Sequence, residues 1–381
     1  MNRRLMFLVG LFIAIVLVVT LSRRNSDSAS SWQPPPRNTE ARPPPYLEKE
    51  PVPTPPHFEA GSTKPNGESY SQNLVMAKLR KEDISWLYSS FPDANTTIYI
   101  VDDDPEKLQI PKNKGRESMV YLTYMIENYD QLPDISIFFH PHQFAWHNSD
   151  LQGQNILTML EMLNPAHVAR VGYMSLRCQH DPGCPNWLHL DLPDDQLDPF
   201  LRKEEKHFTS KVWWELHPGQ PLPKSISEPC CSQFALSKER IRSNPVSEYQ
   251  RYRDWLLNTE LDDEISGRWM EYSWQYLFTG HSEFCPSQNI CFCDGYGICF
   301  GSDWEFQYWL DKREIMRCRL EEAGRLEEQK SWPEKQFSLR KEAAAVEAWL
   351  EETKQKAVER GRDPKNRALD CGREWHEGDG F

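Results

Sequence analysis

An acidic turn is the first place in the sequence where chemistry can be expected. Asp102, Asp103 and Asp104 follow the β-branched run at residues 97–101, which predicts a strand. Carboxylates at a strand end can accept hydrogen bonds from a base or a ribose. They can also hold a divalent metal such as Mn²⁺ or Mg²⁺ through oxygen ligands, for which Asp104 is a candidate. The alternative is an acidic turn that only caps the next segment.

A second polar cluster follows another apolar run. His140, His142 and His147 come directly after Ile135–Phe139, which predicts a buried strand. Two histidines separated by one residue of an extended chain point the same way, so His140 and His142 could reach one metal ion. His147 could complete a three-histidine site of the kind used in metal-dependent hydrolysis. The alternative is a set of hydrogen-bonded loop histidines without a metal.

Three further charged residues are placed to assist catalysis. Lys114 and Arg116 stand at the start of a helix predicted within residues 115–130, where the helix N-terminus and the cations would attract a diphosphate. Glu271 lies on an aromatic helix predicted at residues 267–278 and is a candidate general base. An ion-paired carboxylate on the helix surface is the alternative for Glu271.

The order of the predicted elements indicates how these groups are positioned. Strands and helices alternate, which predicts an α/β domain with a mostly parallel sheet that binds ligands at the carboxyl ends of its strands. Beyond the segments already named, the pattern predicts a helix at 154–163, a strand at 168–173 and a cysteine-dense loop at 285–299. Residues 175–234 lack periodicity and are typical of a long functional loop region.

The N-terminal sequence predicts a membrane anchor. Residues 5–21 form an uncharged apolar run after Arg3 and Arg4, with no small-residue cleavage site behind it. We therefore expect a type II single-pass protein, and the short span favours a Golgi or other secretory-pathway membrane. A cleaved signal peptide is the alternative. The layout is then a cytosolic stub at 1–4, the anchor at 5–21, a Pro-rich stalk at 22–71, a luminal α/β domain at 72–303 and a charged helical tail at 304–381, expected to be a solvated appendage.

The composition agrees with a luminal location. The net charge of −13 argues against nucleic acid as a partner. Asn95 begins an N-glycosylation sequon, and ten cysteines suit disulfide bonds in an oxidising compartment. A zinc site built from the four cysteines within residues 285–299 is the alternative, although their spacing lacks the usual CxxC pairs. The disulfide candidates are Cys178, Cys184, Cys230, Cys231, Cys285, Cys291, Cys293 and Cys299.

Several segments resemble a fungal and bacterial family catalogued only as a domain of unknown function. They are KEDISWL, NKGRESMVYLTYMIENYDQLPDISIFFHPHQFAWH, EPCCSQFALSKERI, GRWMEYSWQYLF and CFCDGYGICFG. The resemblance covers residues 72–304. It implies a real domain and brings no established activity.

A second resemblance is to glycosyltransferases of the GT-A fold, which is Rossmann-like. In those enzymes an early strand ends in an Asp-rich turn that holds the nucleotide, and a later hydrophobic strand ends in a metal-binding DxD. The Val-Asp-Asp-Asp sequence ending at Asp104 resembles the first element, and CCSQFALSKERI is similar to an acceptor-side segment. His140 and His142 stand where DxD is expected, so the sequence departs from the pattern there.

Together these observations predict transfer of a sugar from a nucleotide-sugar donor to a glycan or protein acceptor. In that mechanism the acidic turn holds the nucleoside or metal, and Lys114 and Arg116 neutralise the diphosphate. One alternative is a metal-dependent hydrolase built on His140, His142 and His147. A non-catalytic sugar-binding or structural membrane protein is the other.

Overall fold

The structure is a computed structural model that describes residues 61–104, 106–185, 187–197 and 203–381. The anchor predicted at residues 5–21 and most of the predicted stalk lie outside these ranges. None of the helices in the described ranges is long and apolar enough to cross a membrane.

A five-stranded sheet forms the centre of the domain, in the order β2-β1-β3-β7-β4. Strands β1 (Gln72–Lys78), β2 (Thr96–Ile100) and β3 (Ile135–Phe139) pair in parallel. Strand β7 (Phe234–Ser237) runs antiparallel to both β3 and β4 (Tyr173–Ser175). The predicted α/β class is confirmed, but the sheet is mixed rather than mostly parallel. The antiparallel strand β7, with the sequence FALS, was not predicted from the sequence, because such a short apolar run does not distinguish a strand from other buried segments.

The connections within the parallel part of the sheet lie on opposite faces. Helix α1 (Ser85–Ser90) follows β1 and buries Leu87 in an apolar cluster on one face. Helix α2 (Ser118–Glu127) follows β2 and buries Tyr121 in a second cluster on the other face. Strands β2 and β3 lie on different sides of β1, so the order in which strands are added to the sheet reverses between β1 and β3. Doubly wound sheets bind ligands at such a switch point.

The remaining helices surround the two faces of the sheet. A small second sheet pairs β5 (Leu188–His189) with β6 (Ser225–Ile226). The helices are α3 (Ile156–Met162), α4 (Pro165–Val171), α5 (Thr209–Leu216), α6 (Lys238–Arg242), α7 (Val246–Asn258), α8 (Asp263–Glu271), α9 (Trp274–Thr279), α10 (Gln288–Tyr296), α11 (Asp303–Glu328), α12 (Pro333–Arg360) and α13 (Pro364–Asp370).

Four predicted segments differ from the structure, and one of them is the loop region predicted at 175–234, which contains β5, β6 and α5. The strand predicted at 168–173 is mostly helix α4, because the Asn164 side chain caps the helix by accepting a hydrogen bond from the Ala166 amide and Pro165 follows the cap. The aromatic helix predicted at 267–278 is broken into α8 and α9. The loop predicted at 285–299 contains α10, whose N-cap is Ser287.

The C-terminal helices are packed against the domain at their base. Helices α11 and α12 form an antiparallel hairpin, and the helical prediction for this tail is confirmed. The expectation of a solvated appendage is wrong at the base, because Phe306, Trp309 and Leu350 are buried in the same apolar cluster as Leu87. The Trp309 indole also donates to the Leu350 carbonyl at 3.0 Å.

All eight candidate cysteines are paired, which confirms the disulfide prediction. The cysteines at 285–299 are therefore not available as thiolates for the alternative zinc site. Cys318 and Cys371 are not in disulfides. The bonds are Cys178–Cys291, Cys184–Cys285, Cys230–Cys231 and Cys293–Cys299.

Candidate functional site

The acidic turn lies at the carboxyl end of β2, beside the end of β1. The Arg80 amide donates to Asp102 Oδ1 at 2.6 Å, and the Arg80 guanidinium forms an ion pair with Asp103. Asp104 pairs instead with Lys107, at 2.8 Å. Sequence analysis did not single out Arg80, because its relation to the turn depends on β1 and β2 being neighbours.

The switch point between β1 and β3 carries a histidine and a carboxylate. His142 Nε2 lies 3.3 Å from Glu82 Oε1, so the segments after the two strands meet. The other carboxylate oxygen of Glu82 accepts a hydrogen bond from the Leu79 amide at 2.6 Å, which fixes the side chain. Polar groups from the segments after β1 and β3 therefore lie where the strand order predicts a ligand-binding crevice.

The predicted metal ligands are not gathered around one point. The ring centroids of His140 and His147 are 4.8 Å apart, but those of His142 and His147 are 6.1 Å apart. His140 Nε2 lies 2.8 Å from the Cys231 carbonyl oxygen. One group of three His, Cys, Asp or Glu ligand atoms lies within 4.8 Å in the described ranges, and it contains none of these histidines or the Asp102–Asp104 carboxylates. It consists of Cys293, Cys299 and Asp370, and its cysteines are bonded to each other.

Lys114 and Arg116 make their contacts at the start of α8. The Lys114 ammonium donates to the Thr259 carbonyl, and Arg116 lies 3.5 Å from Glu264. The amides of residues 115 and 116 both donate to Asp263 Oδ1. No contact in the described part of the chain joins these cations to the acidic turn.

Glu271 is connected to β3 through the disulfide segment. Its carboxylate accepts a hydrogen bond from the Cys231 amide at 2.6 Å, and the carbonyl of Cys231 contacts His140. Burial, followed by the charge of Glu117, raises the pKa of Glu271 above its usual value. Part of the Glu271 residue is nevertheless accessible. A partly accessible carboxylate with a raised pKa is suited to accept a proton.

A second carboxyl group is enclosed behind Glu271. Glu228 is buried and accepts a hydrogen bond from the Tyr173 hydroxyl at 2.6 Å. Burial raises the pKa of Glu228 well above its usual value, and the charge of Glu271 adds to the effect. These two neighbouring carboxyl groups favour one shared negative charge over two.

Arg177, which sequence analysis missed, lies just after the carboxyl end of β4. Its guanidinium contacts Cys230 Sγ at 2.8 Å and Cys231 Sγ at 3.6 Å. It is only 4% exposed. We call Arg177, His140, His147 and the Cys230–Cys231 disulfide the edge cluster. The sequence contains one signal for Arg177, because this residue precedes a cysteine in a segment that follows a strand. The strand is predicted at 168–173, however, whereas β4 lies at Tyr173–Ser175.

Asn95 and Trp146 are both exposed on the surface. Asn95, the glycosylation candidate, is exposed in the turn before β2, as a glycan acceptor must be. Trp146 is 63% exposed and lies beside His147, with ring centroids 5.8 Å apart.

Comparison with known proteins identifies the domain without assigning an activity. Residues 74–294 match the family described as "Protein of unknown function (DUF3431)". No curated protein matches the chain. No solved structure matches it either.

Proposed function

The chain belongs to this family of unknown function, and we propose that it is a luminal glycosyltransferase acting on a nucleotide-sugar donor. One observation carries the proposal. Polar groups from β1, β2 and β3 line a switch point, and Glu271, a carboxylate with a raised pKa, is linked to the same edge. Nucleotides bind at such edges in doubly wound sheets.

The acidic turn is assigned to the nucleoside. Asp102 and Asp103 keep oxygen lone pairs beyond their bonds to Arg80, and ribose hydroxyls can donate to them. This assignment follows the resemblance to GT-A enzymes, in which an Asp-rich turn holds the nucleotide.

Glu271 is assigned to the acceptor. The acceptor hydroxyl gives its proton to Glu271 while its oxygen forms a bond to the anomeric carbon of the sugar. The bond from that carbon to the nucleoside diphosphate breaks, and the diphosphate leaves with the electron pair. Because the carboxylate must be deprotonated to accept the proton, turnover should fall as the pH drops through the raised pKa of Glu271.

A divalent metal does not fit the acidic turn in this arrangement. Arg80 binds Asp102 and Asp103, while Lys107 binds Asp104, and the three carboxylates do not converge. We therefore assign no step to a metal at this turn.

Two substitutions test the assigned roles in the full chain. Asp103→Ala should weaken nucleotide-sugar binding about ten- to a hundredfold by calorimetry, because it removes a charge-assisted contact. Glu271→Gln should lower turnover about 10²–10⁴-fold and leave that binding unchanged, because it removes only the base. Glu260→Gln, an exposed carboxylate near the same helix, is the control.

The outcomes separate the proposal from its alternatives. Binding without turnover in the wild type would leave a sugar-binding module. Stoichiometric metal that is lost in His140→Ala and His142→Ala, without nucleotide binding, would favour the hydrolase. Absence of metal and of nucleotide binding would leave a structural protein.

The proposed compartment has its own support and test. Four disulfides suit an oxidising lumen, and the exposed sequon at Asn95 is usable only there. Protease treatment of intact microsomes should leave residues 72–381 undigested. Digestion of that region without detergent would contradict the type II orientation.

A further inference from the structure

Arg177 is a buried cation without an acidic partner, and the proposed function does not use it. Asp150 and Asp181 are the nearest carboxylates that influence it, but neither forms an ion pair with it in the described ranges. Asp150 pairs with Arg313 instead. Burial lowers the pKa of the Arg177 guanidinium below its usual value.

Other polar atoms beside Arg177 also lack partners. The Arg177 Nε, His147 Nε2 and Ser232 Oγ atoms are buried and have no hydrogen-bond partner among the described residues. These atoms come from three separate segments, after β3, after β4 and before β7. Ser232 directly follows Cys231, which Arg177 contacts. The positive charge of Arg177 also helps to lower the pKa of His147 to about 3, after burial and the two other histidines.

An unpaired buried charge and unsatisfied donors cost free energy. Asp294 on α10 shows that this chain can pair a buried charge, because its carboxylate binds His167, Arg170 and Arg373. Buried polar groups that remain unpaired together are explained when a ligand satisfies them. The unmet charge is positive and the unmet atoms include donors, so the ligand that fits is an anion.

We propose that Arg177 binds a phosphoryl group, with His147 Nε2 and Ser232 Oγ donating to the same group. A phosphoryl group offers three peripheral oxygens, and the guanidinium fork can bind two of them at once. A carboxylate has only two oxygens, so the three donors would have to share them, whereas each donor can have an oxygen of its own on a phosphoryl group. Because His147 is neutral at pH 7, its ring can carry the proton on Nε2.

An exposed aromatic side chain lies next to the site. The Trp146 ring lies 5.7 Å from the Arg177 guanidinium and is 63% exposed. A molecule that places its phosphoryl group on Arg177 can therefore extend past Trp146 into solvent, and an aromatic face is a suitable contact for a base or a sugar ring.

This inference goes beyond the proposed function, because any phosphorylated ligand would satisfy Arg177. If the chain transfers sugar from a nucleotide donor, the group is the diphosphate of that donor. Arg177 then takes the role that the sequence predicted for Lys114 and Arg116.

Calorimetry on the full chain tests the proposal with pyrophosphate, orthophosphate and acetate as probes. Pyrophosphate should bind the wild type, and acetate should not. Arg177→Gln should weaken pyrophosphate binding about ten- to a hundredfold. Arg317→Gln removes an exposed arginine on α11 and should leave binding unchanged.

A second variant covers the case in which Arg177→Gln does not fold. Ser232→Ala removes one buried hydroxyl and should weaken pyrophosphate binding several-fold. Equal binding of acetate and pyrophosphate would overturn the phosphoryl assignment. No pyrophosphate binding in the wild type, or unchanged binding in a folded Arg177 variant, would overturn the site itself.

Calorimetry with a nucleoside diphosphate tests which kind of ligand supplies the phosphoryl group. Tighter binding than that of pyrophosphate identifies a nucleotide, whereas no gain identifies a simpler phosphorylated ligand. The two proposals also fail separately. Pyrophosphate binding through Arg177 without sugar transfer would defeat only the transferase, and sugar transfer with an unchanged KM in Arg177→Gln would defeat only the anion site.

Discussion

Two buried groups of charged residues differ in how completely they are paired. On α10, Asp294 is only 2% exposed and binds three partners, with distances of 2.7 Å to His167, 2.8 Å to Arg170 and 2.7 Å to Arg373. Burial alone would raise the pKa of Asp294, but these partners hold it well below its usual range. We call Asp294, His167, Arg170 and Arg373 the Asp294 site.

The edge cluster has the opposite character. Arg177 is as deeply buried as Asp294, yet its contacts are sulfur atoms and an aromatic ring. The Asp294 site joins α4, α10 and the C-terminal segment, so its charges stabilise the fold. The edge cluster leaves its charge without a carboxylate at the edge of the sheet where β3 and β4 end. If the anion site proposed above is right, pairing distinguishes a structural charge from a charge that binds a ligand.

The largest expected effect is the loss of Asp294. Asp294→Ala leaves Arg170 and Arg373 partly buried without their carboxylate, and breaking a buried pair costs about 3–5 kcal/mol. Urea denaturation should report a loss of that size in the free energy of unfolding. Glu314→Gln, which breaks an exposed pair with Arg317, should cost at most about 1 kcal/mol. Equal losses in the two variants would remove the basis of the comparison.

The Cys178–Cys291 disulfide links the two regions. Cys178 is next to Arg177, and Cys291 lies on the same helix as Asp294. The bond spans 113 residues, so the double substitution Cys178→Ala/Cys291→Ala should cost about 2–4 kcal/mol in the free energy of unfolding.

The matched control is the Cys293–Cys299 bond, which spans only 6 residues. Because loop-closure entropy grows with the logarithm of loop length, its removal should cost about 2–3 kcal/mol less. Similar unfolding free energies for the two double variants would show that the long bond does not restrain the unfolded chain.

The pairing of His217 is intermediate between that of the Asp294 site and that of the edge cluster, because only one of its two ring nitrogens has a hydrogen-bond partner among the described residues. Nδ1 lies 3.0 Å from the Tyr252 hydroxyl, whereas Nε2 has no partner in the described ranges. Burial, then the charge of Arg251, lowers the pKa of His217 from 6.5 to about 3. The unfolded chain therefore binds more protons between these values, and stability is lost as the pH falls from 6.5 towards 3.

This shift predicts a measurable change in pH dependence. Between pH 7 and pH 5, His217 should account for about 2 kcal/mol of lost unfolding free energy. Over the same pH interval, the free energy of unfolding of His217→Gln should fall by about 2 kcal/mol less than that of the wild type, as measured by urea denaturation. This difference does not depend on the stability of the variant at pH 7. The exposed His376→Gln serves as the control. An identical pH dependence in wild type and His217→Gln would contradict the lowered pKa.

Local patterns predicted part of the fold and of the candidate site. The strand Ile135–Phe139 and the acidic turn after residue 100 were found because apolar runs and their polar ends are contiguous in sequence. No strand is predicted at residues 72–78, although this segment is β1 and lies between β2 and β3. Its place in the sheet depends on pairings with distant segments, which no local pattern contains.

The importance of Arg177 could not be predicted for a related reason. An arginine is unusual only when it is buried without a carboxylate, and both conditions depend on segments as far away as Cys230 and Asp150. The same limit explains Lys114 and Arg116. Their position before a helix is confirmed, but their partners Thr259 and Glu264 follow more than 140 residues later in the chain.

The smallest expected effect on stability is at Arg177 itself. Arg177→Met keeps most of the buried side-chain volume and removes a cation that has no acidic partner among the described residues. The free energy of unfolding should therefore stay within about 1 kcal/mol of the wild type or rise, because replacing a buried charge with an apolar side chain is often neutral or stabilising.

Arg170→Met is the matched variant, because Arg170 is the arginine that binds Asp294 through both carboxylate oxygens. Its removal should cost about 1–3 kcal/mol, since a buried carboxylate loses charge-assisted hydrogen bonds. Urea denaturation of the two variants, without added anions, measures the difference directly. If Arg177→Met lost as much stability as Arg170→Met, Arg177 would be a structural residue, and its burial would no longer indicate a ligand. A stable Arg177→Met protein whose melting temperature no longer rises with pyrophosphate would instead tie the unpaired charge to binding.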